Sequence, residues 1–224
     1  MIVAPPPPPV ALAVSPSRLR LAAGETQTIE VVNRGHTTTT VVAGASGLAY
    51  GLRGRPRVLA RSAGVLVRPR RFAVPAGGTA TVAVSAPGRS RPGDRPALVL
   101  LSTRGAARGV AVGLRVGVVV LVRGAGRVVR RLVPLALRPR GRTLELSLRN
   151  AGNVAESLAP ETVRVQLLRR GRVVARPRPE LRELLPHTRG ICRLRLARPV
   201  HGALVAVVRT LGTTRRFRLR GAGR

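Results

Sequence analysis

Residues 110–122 read VAVGLRVGVVVLV, a run in which Arg115 is the one charged side chain. A helical membrane span needs about 20 apolar residues. This run is shorter, rich in valine, and broken by Gly113 and Gly117, which are poor helix formers. Read as a strand, it sends Val110, Val112, Leu114, Val116, Val118, Val120 and Val122 to one face. That face is predicted to be core. The other face holds Gly113, Arg115, Gly117, Val119 and Leu121 and is slim. Glycine inside a strand marks a bulge or a close backbone approach. The plainer reading of this face is a slim strand turned toward a second domain. The alternative makes these five residues a docking strand, onto which a partner adds by β-augmentation.

The surrounding chain narrows the choice. Of 224 residues, 44% are hydrophobic, yet the aromatic stock is Tyr50, Phe72 and Phe217. Cores must therefore be built from Val, Leu and Ala. The formal net charge is +33, and every basic residue among the 41 is arginine, against eight acids. A high-GC genome accounts for arginine over lysine but not for the shortage of acids. A field of this sign favours polyanions such as nucleic acid, anionic lipid or acidic cell-wall polymer. The single cysteine, Cys192, excludes an internal disulfide and is expected to be a small buried side chain.

An internal repeat gives the architecture. GETQTIEVVNRG (24–35) aligns without a gap with GRTLELSLRNAG (141–152). Gly24, Thr26, Ile29, Val31, Asn33 and Gly35 match Gly141, Thr143, Leu146, Leu148, Asn150 and Gly152. Each copy is a turn glycine, an alternating strand and an Asn-x-Gly turn. Downstream, residues 74–103 pair with 185–210, each a proline-led turn, a strand, a loop and an apolar strand. No segment shows sustained helical spacing. The expectation is an all-β chain of two tandem immunoglobulin-like β-sandwich domains. They are placed at 14–123 and 132–220, with a linker at 124–131, a Pro-rich segment at 1–13 and a basic tail at 221–224. Ala11-Leu12-Ala13 has the small-x-small form of an export cleavage site, which points to the cell wall or the exterior; a polyproline tail on a cytoplasmic protein is the alternative.

VSPSRLRLAAGETQTIEVVNRG (14–35) followed by VPAGGTATVAVSAPGRSRPGDRPALVLLST (74–103) resembles the N-terminal domain of WxL-interacting proteins. That resemblance implies an envelope protein of peptidoglycan-binding type. The two-sandwich layout also resembles the pilus chaperones, in which the last strand of the first domain is lent to a subunit. On that likeness, residues 110–122 correspond to the donated strand.

Catalytic chemistry finds no foothold in the sequence. His36, His187 and His201 occur singly, Glu180 and Glu183 are flanked by arginine, and RGAGR (123–127) lacks the ending of a phosphate loop. The expectation is a protein that is no enzyme and takes no cofactor or metal. Binding is better founded. Arginines alternate with apolar residues in CRLRLAR (192–198) and RRFRLRGAGR (215–224), which sends guanidinium groups outward. Arg193, Arg195, Arg198, Arg215, Arg216, Arg218 and Arg220 form the candidate polyanion-binding set. The favoured partners are anionic wall polymer or other envelope proteins. The alternative is nucleic acid bound through charge alone, which would be salt-sensitive and nonspecific.

Overall fold

The computed structural model describes residues 11–60, 64–88, 91–107, 110–198 and 202–220, with only the backbone for 104–107, 110–112 and 220. The polyproline run, the tail at 221–224 and His201 lie outside the described residues. The chain forms two compact units. Unit 1 takes residues up to Leu48, Val58–Arg91 and Arg95–Ala125; unit 2 takes Ala49–Arg57, Pro92–Asp94 and the chain from Gly126 onward.

Among the described residues, the first half of the chain supplies β1 (Leu12–Ser15), β2 (Arg18–Ala22), β3 (Thr26–Asn33), β4 (Thr39–Tyr50), β5 (Pro56–Leu59), β6 (Leu66–Arg68), β7 (Arg71–Val74), β8 (Thr79–Ser85), β9 (Gly93–Ala107) and β10 (Val110–Gly124). One sheet runs β1-β3-β8-β6, the other β2-β10-β9-β4-β5, with β7 also on β4. Leu12 and Ala13, read from the sequence as part of a cleavage site, sit in β1 opposite Asn33 and Val32.

The second half supplies β11 (Leu132–Arg140), β12 (Thr143–Asn150), β13 (Glu156–Ser157), β14 (Val163–Arg169), β15 (Arg172–Ala175), β16 (Arg178–Pro179), β17 (Glu183–Leu184), β18 (Arg189–Arg195), β19 (Ala203–Thr210) and β20 (Thr213–Arg220). Their sheets run β11-β12-β18-β16 and β15-β14-β19-β20, with β13 paired to β17. The order repeats that of unit 1: β1-β3-β8-β6 becomes β11-β12-β18-β16, and β10-β9-β4-β5 becomes β20-β19-β14-β15. The sequence duplication is thus a duplication of topology.

Alternation fills each core. Ile29 and Val31 of β3 meet Val82 and Val84 of β8 and Val99, Val118 and Val120 in a valine-rich cluster. Leu146 and Leu148 of β12 meet Cys192, Leu194, Leu167 and Leu204 in a leucine-rich one. The register aligns Ile29 with Val82 and Leu146 with Cys192, so Cys192 takes the core place that Val82 holds in unit 1.

The matched asparagines have matched jobs. Both are fully buried. Asn33 Nδ2 donates to Thr37 O at 2.8 Å and Val74 O at 3.1 Å, and its Oδ1 accepts from Gly35 N at 2.9 Å. Asn150 Nδ2 donates to Val154 O at 2.7 Å and Leu184 O at 3.0 Å, and its Oδ1 accepts from Gly152 N at 2.9 Å. Each amide thereby closes its own turn and ties it to a neighbouring strand end. Gly152 is required for a steric reason: a Cβ there would lie 2.2 Å from Val129 O.

Two charged groups of unit 2 are also structural. Arg182 donates from Nη1 to Leu52 O at 2.7 Å and Ile191 O at 2.6 Å, and from Nη2 to Gly51 O at 3.1 Å. Burial pulls its pKa below the usual arginine value. Glu156, whose side chain is fully buried, accepts a two-pronged contact from Arg130, Nε to Oε1 at 2.8 Å and Nη2 to Oε2 at 2.7 Å. Removing Arg130 strands that carboxylate. Because the Arg130 side chain is 56% exposed, water compensates in part, and Arg130→Ala is expected to cost about 2–3 kcal/mol in a urea titration. A cost indistinguishable from that of Arg127→Ala would refute the assignment.

Candidate functional site

Strand β10 has two differently furnished halves. From Val119 to Arg123 it pairs in parallel with Arg18–Ala22 of β2. Among the described residues, no strand pairs with it on that side before Val119. Its other side is covered by β9. The free half-edge therefore presents unpaired backbone donors and acceptors, a template for strand addition.

The polarity of this edge follows from one hydrogen bond. Val119 N donates to Ser17 O at 3.1 Å, on the β2 side of the strand. Backbone groups alternate along a strand, so Gly113, Arg115 and Gly117 aim theirs to the same side, where among the described residues no strand receives them. Leu114 and Val116 turn toward the sandwich interior and are half-buried, while Val118, Val120 and Val122 are fully buried.

The sequence-predicted docking residues do not share one fate. Gly113, Arg115 and Gly117 are exposed and Val119 is half-buried. Leu121 is only 2% exposed and leaves the docking set. Alternation had assigned it to the outer face, but it does not say whether that face is covered. Gly117 is slim for a reason, since a Cβ there would approach Leu98 Cδ1 to 3.1 Å. Beside the free edge, Thr40, Val42, Arg71, Ser102, Gly113 and Arg115 line a shallow groove.

The arginine set is dispersed as well. Arg193 and Arg195 lie on β18 and Arg215, Arg216, Arg218 and Arg220 on β20, in different sheets of unit 2. Arg195 Nε pairs with Glu180 at 2.9 Å. Glu145 adds a second carboxylate to the same face, 3.4 Å from Arg53 and 3.8 Å from Arg140. Arg215 spends its Nη1 on Pro134 O at 2.9 Å and Leu135 O at 3.3 Å, and its guanidinium sits 5.3 Å from the Phe217 ring centre. It is a structural clamp. Arg198 is exposed, as are Arg216 and Arg218. His36 and His187 are exposed in turns, and among the described residues no group of acidic, histidine or cysteine side chains could hold a metal ion. No described helix is long and apolar enough to cross a membrane.

A first unit whose opening segment changes sheet (β1 on β3, then β2 on β10), closed by a long half-free last strand, is a specific arrangement. The fold is that of the pilus chaperones. A chain from the chaperone–tip adhesin complex of CFA/I fimbriae superposes with a TM-score of 0.57 at 9% identity, over 95% of this chain and 100% of its own. The class 5 fimbriae chaperone CfaA gives 0.56 at 9%, over 93% and 99%. A chain of the CsuC–CsuE chaperone–tip subunit pre-assembly complex from Csu pili of Acinetobacter baumannii gives 0.52 at 12%, over 94% and 98%. No sequence-family profile and no curated protein matches the chain. The likeness is one of fold. The wall-polymer reading attached to the WxL-interacting resemblance draws no support from these pilus-chaperone neighbours.

Proposed function

We propose that this chain is a non-catalytic assembly or docking protein of the cell envelope, which lends the free half-edge of β10 to an extended segment of another surface protein. The observation that carries the reading is the unpaired run before Val119, flanked by β9 on one side only. A segment added there gains main-chain hydrogen bonds at Gly113, Arg115 and Gly117, the usual source of affinity in strand addition. Leu114 and Val116, on the interior face and half-buried, are placed to meet its apolar side chains. The neighbouring chaperone folds, two of them solved with tip subunits, are in keeping with such a partner.

The test uses the alternation of backbone donors. Gly113→Pro removes an N–H aimed at the free edge, at a place where a Cβ meets only Thr103 O at 3.8 Å, and leaves the β9 ladder intact, whereas Val116→Pro breaks that ladder. With a photo-crosslinker in place of Arg115 in the native host, the expected product is an adduct to a defined segment of a secreted protein. It should be lost with Gly113→Pro while the melting temperature stays within about 3 °C, an effect of about 1 kcal/mol for a chain of this size. Adducts to nucleic acid alone, or adducts unchanged by Gly113→Pro, would overturn the reading in favour of a charge-driven nucleic-acid binder.

A further inference from the structure

Unit 2 has a second surface that owes nothing to β10. On the outer face of sheet β15-β14-β19-β20, cross-strand register sets Val173 of β15, Leu168 of β14, Val205 of β19 and Arg218 of β20 in one row. The next row on the same face sets Val207 of β19 against Arg216 of β20. Val173 is 44% exposed and Val205 37%, high values for valine in regular strands. Leu168, Val205 and Val207 floor a groove of about 620 Å³ with Arg216 and Arg218 along one wall and Arg170 at the β14–β15 turn. Among the described residues none of these three guanidinium groups has an ion-pair or hydrogen-bond partner, and no carboxylate lines the groove.

We propose that this groove binds an anionic amphiphile, a single acyl chain ending in a carboxylate, with its head on Arg216 and Arg218 and its tail laid across the strands over Val205 and Leu168 toward Val173. The direction of the stripe argues for this occupant. It runs perpendicular to the strands, and β14 and β19 each have strand neighbours on both sides. A peptide crossing there therefore gains no main-chain pairing. From β15 to β20 the stripe spans three strand spacings, roughly 14 Å, long enough to desolvate most of a medium-length acyl tail at about 0.8 kcal/mol per methylene. The groove has no aromatic platform on which a nucleic-acid base would stack. Its volume falls in the range of small-molecule sites, and guanidinium forks match a carboxylate head.

The experiment titrates the full chain with dodecanoate below its micelle concentration, by calorimetry and by methyl NMR shifts. Saturable binding of one dodecanoate is expected, with shifts confined to Leu168, Val173, Val205 and Val207. Dodecanol should bind at least about tenfold more weakly, and Arg216→Ser/Arg218→Ser should weaken dodecanoate by about tenfold or more, the loss expected for charge-assisted contacts. Val205→Asp, a surface change whose folding is checked by its melting curve, should abolish binding. Equal affinity for dodecanol, affinity unchanged in either variant, or binding of only an acidic peptide or an oligonucleotide would each overturn the proposal. None of these readouts depends on β10, so success or failure here is distinct from that of the docking edge.

Discussion

Asn150→Leu is expected to destabilise unit 2 by about 3 kcal/mol. The amide makes three hydrogen bonds in a site closed to water. Each is worth about 1 kcal/mol net, and leucine also leaves the Val154 and Leu184 carbonyls without this donor. The chain repeats the arrangement at Asn33, with Thr37 and Val74 as acceptors, so Asn33→Leu should cost unit 1 a similar amount. Amide hydrogen exchange, which resolves the two units, is the measurement of choice. Asn150→Asp sharpens the test. It keeps the acceptor for Gly152 but turns a second oxygen toward two carbonyls, which raises the folded-state pKa of the new carboxyl. A group raised in this way contributes stability below its unfolded pKa and loses it as pH rises through the folded value. Asn150→Asp should therefore be less stable at pH 7 than at pH 4, relative to wild type. Stability within 1 kcal/mol of wild type for both Asn150 variants would refute the assigned role of the amide.

Cys192 is expected to resist thiol reagents on the order of a thousandfold better than a free cysteine at pH 8. Burial pushes its thiol up to about 12, opposed in part by the Arg182 charge. At pH 8 such a thiol is about one part in ten thousand thiolate, against roughly a quarter for an exposed one near 8.5, and the thiolate is the reactive form. The same shift gives an alkaline signature. The unfolded chain ionises first, so this contribution to stability is complete below about pH 8.5 and shrinks as pH rises toward 12. The chain has no lysine to mask the effect. Cys192→Val, which installs the residue its repeat partner Val82 already uses, should cost less than about 1.5 kcal/mol at pH 7 and flatten the slope above pH 9. Rapid labelling of the folded protein, or an unchanged slope in the variant, would refute this account.

The fold was largely legible because both copies of the repeat carry the same physical instructions. Alternation in TQTIEVVN and TLELSLRN identifies strands and their buried faces, and Asn-x-Gly marks their ends. Cys192 as a small core residue was equally readable from its apolar setting. What could not be read was pairing between distant segments. Nothing in RLRLA announces that β2 adds in parallel to the end of β10 and leaves its beginning free. Nor does GLRGRPR, a turn-like stretch, reveal that residues 49–57 cluster with the second unit. For arginine, spacing identifies a face but not a partner. Arg215 and Arg218 look alike in RRFRLR, yet Arg215 clamps the carbonyls of Pro134 and Leu135, and Arg218 meets no partner among the described residues. Arg182, read as one of the arginines that flank Glu180 in ordinary surface pairing, instead donates to the carbonyls of Leu52, Ile191 and Gly51, and Glu156 was missed. Glu156 lies in NVAESLAP, where an acid beside apolar residues was a faint hint of burial; for Arg182 no local signal exists.

The half-free edge of β10 has a colloidal consequence. An apolar strand with one unpatched side should recruit its own kind, since a second copy offers the same edge. Yet each copy carries a formal charge of +33, and two such bodies repel before their edges align. The arginine surplus is in this sense a guard against homotypic stacking, spread over the surface rather than built into the strand. It guards only at modest ionic strength: the screening length is ~8 Å at physiological salt and ~3 Å at 1 M. A segment of low or negative charge meets no such barrier, so the field that disperses copies of this chain sets no obstacle to the partner proposed for β10.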